Sequence, residues 1–369
     1  MGKNLKEIAQ ELKNNNKKVQ LIYAFNGNGK TRLSKEFKEL VAPKSDSGDI
    51  DSVSKKIIYY NAFTEDLFYW NNDLVNDIEP KLIIQPNSFT EWIFKEQGQE
   101  LNVISNFQNY TNRALMPKFN ANFSEITFSF KRGNEESMEN IKISKGEESN
   151  FIWSVFYSLL EQVINELNIL ELDERETDRF NQLKYVFIDD PVTSLDDNHL
   201  IQMAVDLARL IKKSDYQNNE LKFLITTHNP LFYNVLYNEL KSREGYMLSR
   251  YEDGSYNLDV KFGDSNINFS YHHYLIGALR EAINENKIEK YHFTLLRNLY
   301  EKAANFLGYK NWSDLLPEDK ELYASRIMNF YSHRTLLNEE IREPTEPEKR
   351  MVALLFNHLI DNSKFWKEE

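Results

Sequence analysis

Apolar residues in this chain of 369 residues are distributed in two regimes. Up to about residue 260, short continuous apolar runs alternate with stretches whose apolar positions recur every three or four residues. The runs VQLIYAF, IIYY, ITFSF, YVFIDD and FLITTH read as buried strands, whereas KTRLSKEFKELV and the segments beginning at Ser149, Asp197 and Pro230 read as helices. That alternation predicts a mixed α/β sheet. After a last strand pair, GYMLSRYED and YNLDVKF, strand patterning stops. Helical spacing follows over about 270–287, 292–307, 319–336 and 346–366, with breaks at Gly308, Pro317, Pro344 and Pro347. The predicted organisation is an α/β domain over residues 1–260 and an all-α domain over residues 261–369.

Composition narrows the function classes. With 41% hydrophobic and 28% charged residues the chain lies within globular limits. Cys is absent, which removes disulfides, thiol nucleophiles and cysteine zinc ligands, and fits a reducing compartment. The start, MGKNLKEIAQELKNNNKK, is polar, and no stretch approaches the ~18 apolar residues of a membrane span. A cytoplasmic protein without a membrane partner is expected.

The formal charge of −12 argues against a broad nucleic-acid face, because phosphate contacts rely on Lys and Arg. The average conceals an asymmetry. From Lys261 onward there are 15 basic and 17 acidic residues, which leaves 30 basic and 40 acidic residues in the first 260. A local basic patch in the last third, drawn from Lys261, Arg280, Lys287, Lys290 and Arg334, is therefore compatible with the charge.

LIYAFNGNGKTRLS places an apolar strand before a loop of Asn26, Gly27, Asn28 and Gly29, with Lys30 and Thr31 opening a helix. This is the Walker A arrangement. Loop N–H groups and the helix N-terminus can surround phosphate oxygens, Lys30 neutralises their charge, and the Thr31 hydroxyl suits Mg²⁺. Ala24 stands where the pattern has its first Gly, so the chain there must keep a negative φ.

YVFIDDP ends a buried strand in two carboxylates. Asp189 is assigned to the metal and Asp190 to the attacking water. FLITTHN is a second buried strand that delivers His228 at its carboxyl end, where ligands gather in open α/β sheets. ISKGEES puts Ser144, Lys145, Gly146 and Glu147 before a helix. Taken singly, a core histidine and a capped helix start explain these last two segments better than a nucleotide site does.

The order Walker A, SKGEE, DDP, SLDD, THN resembles the ABC-type ATPase heads of the RecF-like and SMC-like class. The resemblance implies that Ser144, Lys145, Gly146 and Glu147 form the signature motif, that Ser194, Leu195 and Asp196 form the D-loop, and that His228 is the switch histidine. Gln85 in LIIQPNS is the Q-loop candidate. The interval of 114 residues from Lys30 to Ser144 shows no sustained heptads, unlike SMC-like chains. In this class one head's signature completes another head's nucleotide site, so the resemblance implies a nucleotide-promoted homo-oligomer, at least a dimer.

In HFTLLRNLYEKAANFL, apolar residues at 295, 296, 299, 303 and 306 form a helical stripe, and Arg297 and Glu301 are i, i+4 neighbours. A surface pair of that kind contributes only ~0.2–0.5 kcal/mol. Further on, Arg326 and His333 are seven residues apart, two helical turns, so both can point into one cleft. Metal-free RNA cleavage needs a base for the ribose 2′-OH, a cation for the phosphorane and an acid for the leaving 5′-oxygen. His333 suits acid/base work near neutrality, Glu301 can be a second proton-transfer group, and Arg297 and Arg326 can supply permanent charge.

The whole chain resembles the PrrC-type bacterial tRNA(Lys) anticodon nucleases through QLIYAFNGNGKTRLS, IIYYNAFTEDLFYW, ISKGEESNFIWSVFY, YVFIDDPVTSLDDNHL, FLITTHNPLFYNVL, KFGDSN, YHFTLLRNLYEK and FYSH. The resemblance implies an ABC-type NTPase domain fused to a HEPN-like ribonuclease domain. Its Arg-Glu-His triad falls on Arg297, Glu301 and His333, with Arg326 completing the HEPN pattern. Its tRNA-recognition segment falls on KFGDSN, with Asp264 at the wobble base and Lys261 and Ser265 beside it. It further implies cleavage 5′ to the wobble base, leaving 2′,3′-cyclic phosphate and 5′-OH ends. Mg²⁺ with GTP or ATP, dTTP as a regulatory ligand, a dimer or tetramer, latency under a type I DNA restriction-modification enzyme and release by a phage-encoded inhibitor follow from the same resemblance. On the residues alone two other classes stay open: a RecF-like ATPase acting on DNA ends, and an interaction protein with degenerate sites.

Overall fold

A computed structural model of the chain describes residues 2–43, 56–60, 67–71, 80–86, 88–131, 137–191, 197–251, 253–262, 271–324 and 344–362. The backbone divides into two compact units, Met1–Gly263 and Asp264–Glu369.

The first unit opens with a helix that the polar start of the chain had not announced: α1 (Leu5–Asn14), which buries Ile8, Ala9 and Leu12 and is capped by a reciprocal Asn4–Glu7 box. Then come β1 (Val19–Tyr23), α2 (Lys30–Val41), β2 (Ile57–Tyr60), β3 (Phe68–Asn71), β4 (Lys81–Ile84), α3 (Glu100–Tyr110), β5 (Leu115–Phe119), β6 (Glu125–Lys131) and β7 (Ser137–Met138). A long helix, α4 (Lys145–Leu167), leads to β8 (Tyr185–Asp189), α5 (Asp197–Lys213), β9 (Lys222–Thr227), α6 (Pro230–Glu239), β10 (Glu244–Arg250) and β11 (Tyr256–Phe262).

These strands build two sheets where the sequence suggested one. The first has the order β11-β10-β1-β9-β8-β2, parallel throughout except for β11. From their second residue on, β1, β8 and β9 are buried, which is why their sequences read as unbroken apolar runs. Tyr23 is paired with Thr227, and Asp189 with Thr226, so the carboxyl ends of three adjacent strands finish side by side. With strands ~4.8 Å apart, everything that follows them converges on one place.

The second sheet, β3-β4-β6-β5 with β7 on β6, is antiparallel. The run ITFSF belongs here. Phe128 of β6 and Phe107 of α3 meet Phe151 of α4 at 5.5 and 5.4 Å between ring centroids, both edge-on. That aromatic packing fixes the first turns of α4 against the second sheet.

Among the described residues the second unit contains α7 (Tyr271–Asn284), α8 (Lys290–Leu307) and α9 (Glu346–Asn362), with a short 3₁₀ turn at Trp312–Leu315 and a short helix at Lys320–Tyr323. Leu275, Leu279, Phe293, Leu296, Leu299, Val352, Leu355 and Leu359 form its core. Gly308, at φ 76°, ends α8. Of the helix expected over 319–336, only the part through Ala324 falls within the described residues. Among the described residues no helix is long and apolar enough to cross a membrane.

Candidate functional site

The loop between β1 and α2 is built on two left-handed glycines. Gly27 and Gly29 have φ of 87° and 86°, a region that residues with a β-carbon resist. Ala24 keeps a negative φ, as its methyl requires; it is fully buried, and its N–H donates to Thr227 O at 3.0 Å. Lys30 opens α2 with only 7% of its surface exposed. Its ammonium is held by Ala24 O, Phe25 O and Asn26 Oδ1 at 3.1, 3.4 and 3.3 Å. The first N–H groups of α2, which lack intrahelical partners, and the positive helix end lie at the same loop.

The two carboxylates that end β8 have opposite environments. Asp189 is buried and accepts from Thr226 Oγ1 at 2.5 Å, from Ser34 Oγ at 3.2 Å and from the Thr31 side chain. Burial pushes its carboxyl above the ordinary range, and those hydroxyls only partly oppose the shift. Asp190 is in the left-handed region at φ 51°, a conformation that costs a non-glycine residue ~1–3 kcal/mol and collects at functional sites. Its carboxylate lies 2.6 and 2.8 Å from His228 Nδ1 and 3.4 Å from Lys30 Nζ. Burial alone would raise Asp190 too, but His228 and Lys30 together hold it below its usual value. Lys30, Asp190 and His228 thus come together from three separate segments.

SKGEE begins α4 earlier than the Ser149 start suggested by periodicity. Ser144 is the N-cap, its hydroxyl accepting from Glu147 N at 3.3 Å while Glu147 Oε2 accepts from Ser144 N at 2.7 Å. Lys145 pairs with Glu148 at 2.9 Å, and buried Glu148 also accepts from Trp70 Nε1 at 2.9 Å. A tryptophan of β3 therefore anchors the helix start, a link with no short-range signal in the sequence.

In the second unit, Arg297 Nε donates to Glu301 Oε1 at 2.8 Å. The guanidinium carbon lies 5.5 Å from the ring centre of Trp312, and Trp312 meets Tyr300 edge-on at 6.4 Å. Tyr300 is fully buried and donates to Leu355 O at 2.9 Å, tying α8 to α9. Arg297 is thus a packed side chain held at Nε and on its face, beyond a solvated i, i+4 pair.

No family model matches the chain. A curated relative from Escherichia coli named "Anticodon nuclease" is 57% identical over 395 aligned residues, covering 100% of this chain and 99% of its own length. The chain belongs to the PrrC-type anticodon nuclease family. Two solved structures are also similar: an Smc head domain with an extended coiled coil from Pyrococcus furiosus, and an SmcHead bound to the C-winged helix domain of ScpA. The first is 13% identical with a TM-score of 0.28, over 47% of this chain and 37% of that one. The second is 12% identical with a TM-score of 0.35, over 69% of this chain and 93% of that one.

For this anticodon nuclease family member, several expected site residues lie outside the described residues: Ser194, Leu195 and Asp196 of the D-loop, Asp264 and Ser265 of the recognition segment, and Arg326, His333 and Arg334 of the helical tail. Lys261 is half-buried in β11, paired with Gly245. Gln85 follows β4 in the second sheet, its N–H donating to Leu67 O at 2.8 Å. Residues that the sequence did not single out but that hold the sites are Ser34, Thr226, Trp70 and Trp312.

Proposed function

We propose that the chain is an NTP-gated endoribonuclease that cleaves tRNA(Lys) in the anticodon loop, 5′ to the wobble base, leaving 2′,3′-cyclic phosphate and 5′-OH ends. The likeness to an anticodon nuclease along essentially the full length of both chains is the observation that carries this reading. The orientation of Arg297 supports it. The Nε bond to Glu301 and the Trp312 ring beneath the guanidinium hold this cation in one orientation, as a group that stabilises a phosphorane must be held. His333 would exchange protons with the 2′-OH or the 5′-oxygen, Glu301 would serve as second proton-transfer group, and Arg326 would add charge. No metal is assigned to this step.

In the first unit the donor set fits a nucleotide with Mg²⁺. Lys30 and the loop of Asn26, Gly27, Asn28 and Gly29 would bind phosphates, and Thr31 and Asp189 are the hard oxygen donors that Mg²⁺ takes in small number beside phosphate oxygens. Asp190 and His228 would act at the γ-phosphate, with Ser144, Lys145, Gly146, Glu147 and Asp196 serving a neighbouring copy in a homo-oligomer. GTP or ATP as the hydrolysed nucleotide, dTTP as a regulatory ligand and latency under a type I DNA restriction-modification enzyme belong to the same proposal.

The test is incubation of pure protein with total bacterial tRNA and mapping of new 5′-OH ends. The reading requires scission confined to the tRNA(Lys) anticodon loop, lost in His333→Ala, with a nucleotide response that disappears in Lys30→Ala. Intact tRNA together with nucleotide-dependent binding of duplex DNA ends would replace it with a RecF-like ATPase.

A further inference from the structure

Gly29, at φ 86°, closes the phosphate loop, and a β-carbon built on it would stand 2.9 Å from Cε1 and 3.3 Å from the hydroxyl oxygen of Tyr256. The first separation is shorter than real β-carbons tolerate, and the neighbour is a ring atom rather than the end of a flexible chain. Tyr256 has little freedom to withdraw. It is 6% exposed, its ring shares a buried cluster with Ala24 and Leu33, and its backbone exchanges two 2.7 Å hydrogen bonds with Lys3. The other strand of the same hairpin touches the loop as well, since Asn28 Nδ2 donates to Leu248 O at 3.3 Å.

From that contact, β11 runs to Phe262, paired with β10 residue by residue from Arg250↔Tyr256 to Glu244↔Phe262. It is the last strand of the first unit, which ends at Gly263. At ~3.4 Å per residue the strand spans roughly 20 Å. A fully paired ladder resists slipping, because a one-residue slip would turn every side chain to the opposite face. A displacement at Tyr256 is therefore carried along the strand rather than absorbed in it.

We propose that Tyr256 couples the phosphate loop to the end of the first unit: its ring is a wedge under Gly29, and β11 conveys a change in that turn to the point where the chain leaves for the helical unit. This rests on the reading of the loop as a nucleotide site that controls cleavage. The wedge is the ring, not the hydroxyl, so Tyr256→Phe keeps it and Tyr256→Ala removes it.

Hydrogen–deuterium exchange on the full chain, with and without ATP or GTP plus Mg²⁺, gives a readout independent of cleavage. With nucleotide bound, the amides of residues 256–262 that pair with β10 exchange more slowly by about tenfold or more, in the native chain and in Tyr256→Phe. Unaltered exchange along β11 in the native chain, when binding is verified separately, overturns the proposal even if Tyr256→Ala fails to fold. In tRNA cleavage, Tyr256→Ala should bind nucleotide yet cleave at the same rate with and without it, and Tyr256→Phe should restore the response. A Tyr256→Ala protein that still follows nucleotide, or whose lost response traces wholly to lost nucleotide affinity, also overturns it. If the native chain cleaves tRNA equally with and without bound nucleotide, the gating reading falls, and the exchange result still decides whether the wedge moves β11.

Discussion

His228 Nδ1 contacts both oxygens of Asp190, at 2.6 and 2.8 Å, and Lys30 Nζ lies 3.4 Å from the same carboxylate. The carboxylate gathers the two groups that the nucleotide reading assigns to phosphate oxygens. An incoming phosphate must compete with it for both. Asp190→Asn removes the negative charge while keeping the shape. We expect nucleotide to bind about tenfold more tightly, ~1.4 kcal/mol, and phosphate release to slow by about 100-fold or more, since the proposed role of Asp190 is also to orient the attacking water. Equilibrium binding and a phosphate-release assay check the two halves separately, and weaker binding by the variant would contradict the competition.

The same carboxyl sets a stability expectation. Because its folded pKa lies below the ordinary value, ionised Asp190 contributes stability that is complete at neutral pH and is lost as pH falls through the depressed value. Asp190→Asn should therefore lower the melting temperature of the nucleotide-free protein at pH 7, with the difference from the native chain shrinking toward pH 3. Asp189 has the opposite sign. Its raised pKa means that ionisation costs stability as pH rises above the ordinary carboxylate value, so Asp189→Asn should melt no lower than the native chain at pH 7 while losing Mg²⁺-dependent nucleotide binding.

Two glycines with nearly equal φ should respond differently to alanine. Nothing lies within 4 Å of a β-carbon at Gly27, whereas the one at Gly29 meets Tyr256 at 2.9 Å. Gly27→Ala then bears only the left-handed cost of ~1–2 kcal/mol. Gly29→Ala bears that cost and an overlap with a buried ring, and should lose more stability and more nucleotide affinity. Shortening the ring in Gly29→Ala/Tyr256→Leu should recover part of the difference in thermal melts, a coupling expected only of residues in contact.

The parts of this molecule that could be read from sequence are those whose signal is local. The Lys30 loop, the β8 carboxylates and His228 each follow a continuous apolar run, and such runs mark parallel strands buried on both faces. The second sheet has a weaker signal because β3 and β4 bury no two consecutive residues, whereas the equally short β2 is a continuous, mostly buried apolar run. The first helix does carry a local signal, with Leu5, Ile8, Ala9 and Leu12 at helical spacing behind the Asn4–Glu7 cap, but the polar composition of the segment masks it. Long-range contacts leave no local trace at all. Trp312 under Arg297, Trp70 on Glu148 and Tyr256 beneath Gly29 join residues from separate elements. The Arg297–Glu301 pair was legible from its spacing, but its packing was not.

Acid should loosen the start of α8. His292 is buried, accepts a hydrogen bond from Glu289 N at 2.9 Å, and has its pKa lowered by burial. A base whose folded pKa is depressed binds more protons when unfolded, so stability is complete above the unfolded value of ~6.5 and falls as pH drops below it. Melting of the helical unit should therefore shift down between pH 7 and pH 5.5. His292→Gln retains an acceptor for Glu289 N and does not titrate there, so its melting temperature should vary less over that interval. An equal slope in both proteins would assign the acid sensitivity to other groups.

Arg297→Lys separates charge from orientation. Lysine keeps the positive charge but has no Nε to donate to Glu301 and no planar face to lie on Trp312. If charge alone stabilised the phosphorane, the variant would cleave tRNA almost as well as the native chain. If the held, planar guanidinium is what acts, kcat should fall about 100-fold, the scale seen when one oriented transition-state donor is removed, while KM for tRNA changes little. Trp312→Leu keeps both Arg297 and Glu301 and removes the ring beneath the guanidinium, along with its edge contact to Tyr300, so it should show a smaller loss in the same parameter. A change confined to KM in either variant would place Arg297 in tRNA binding rather than in the chemical step.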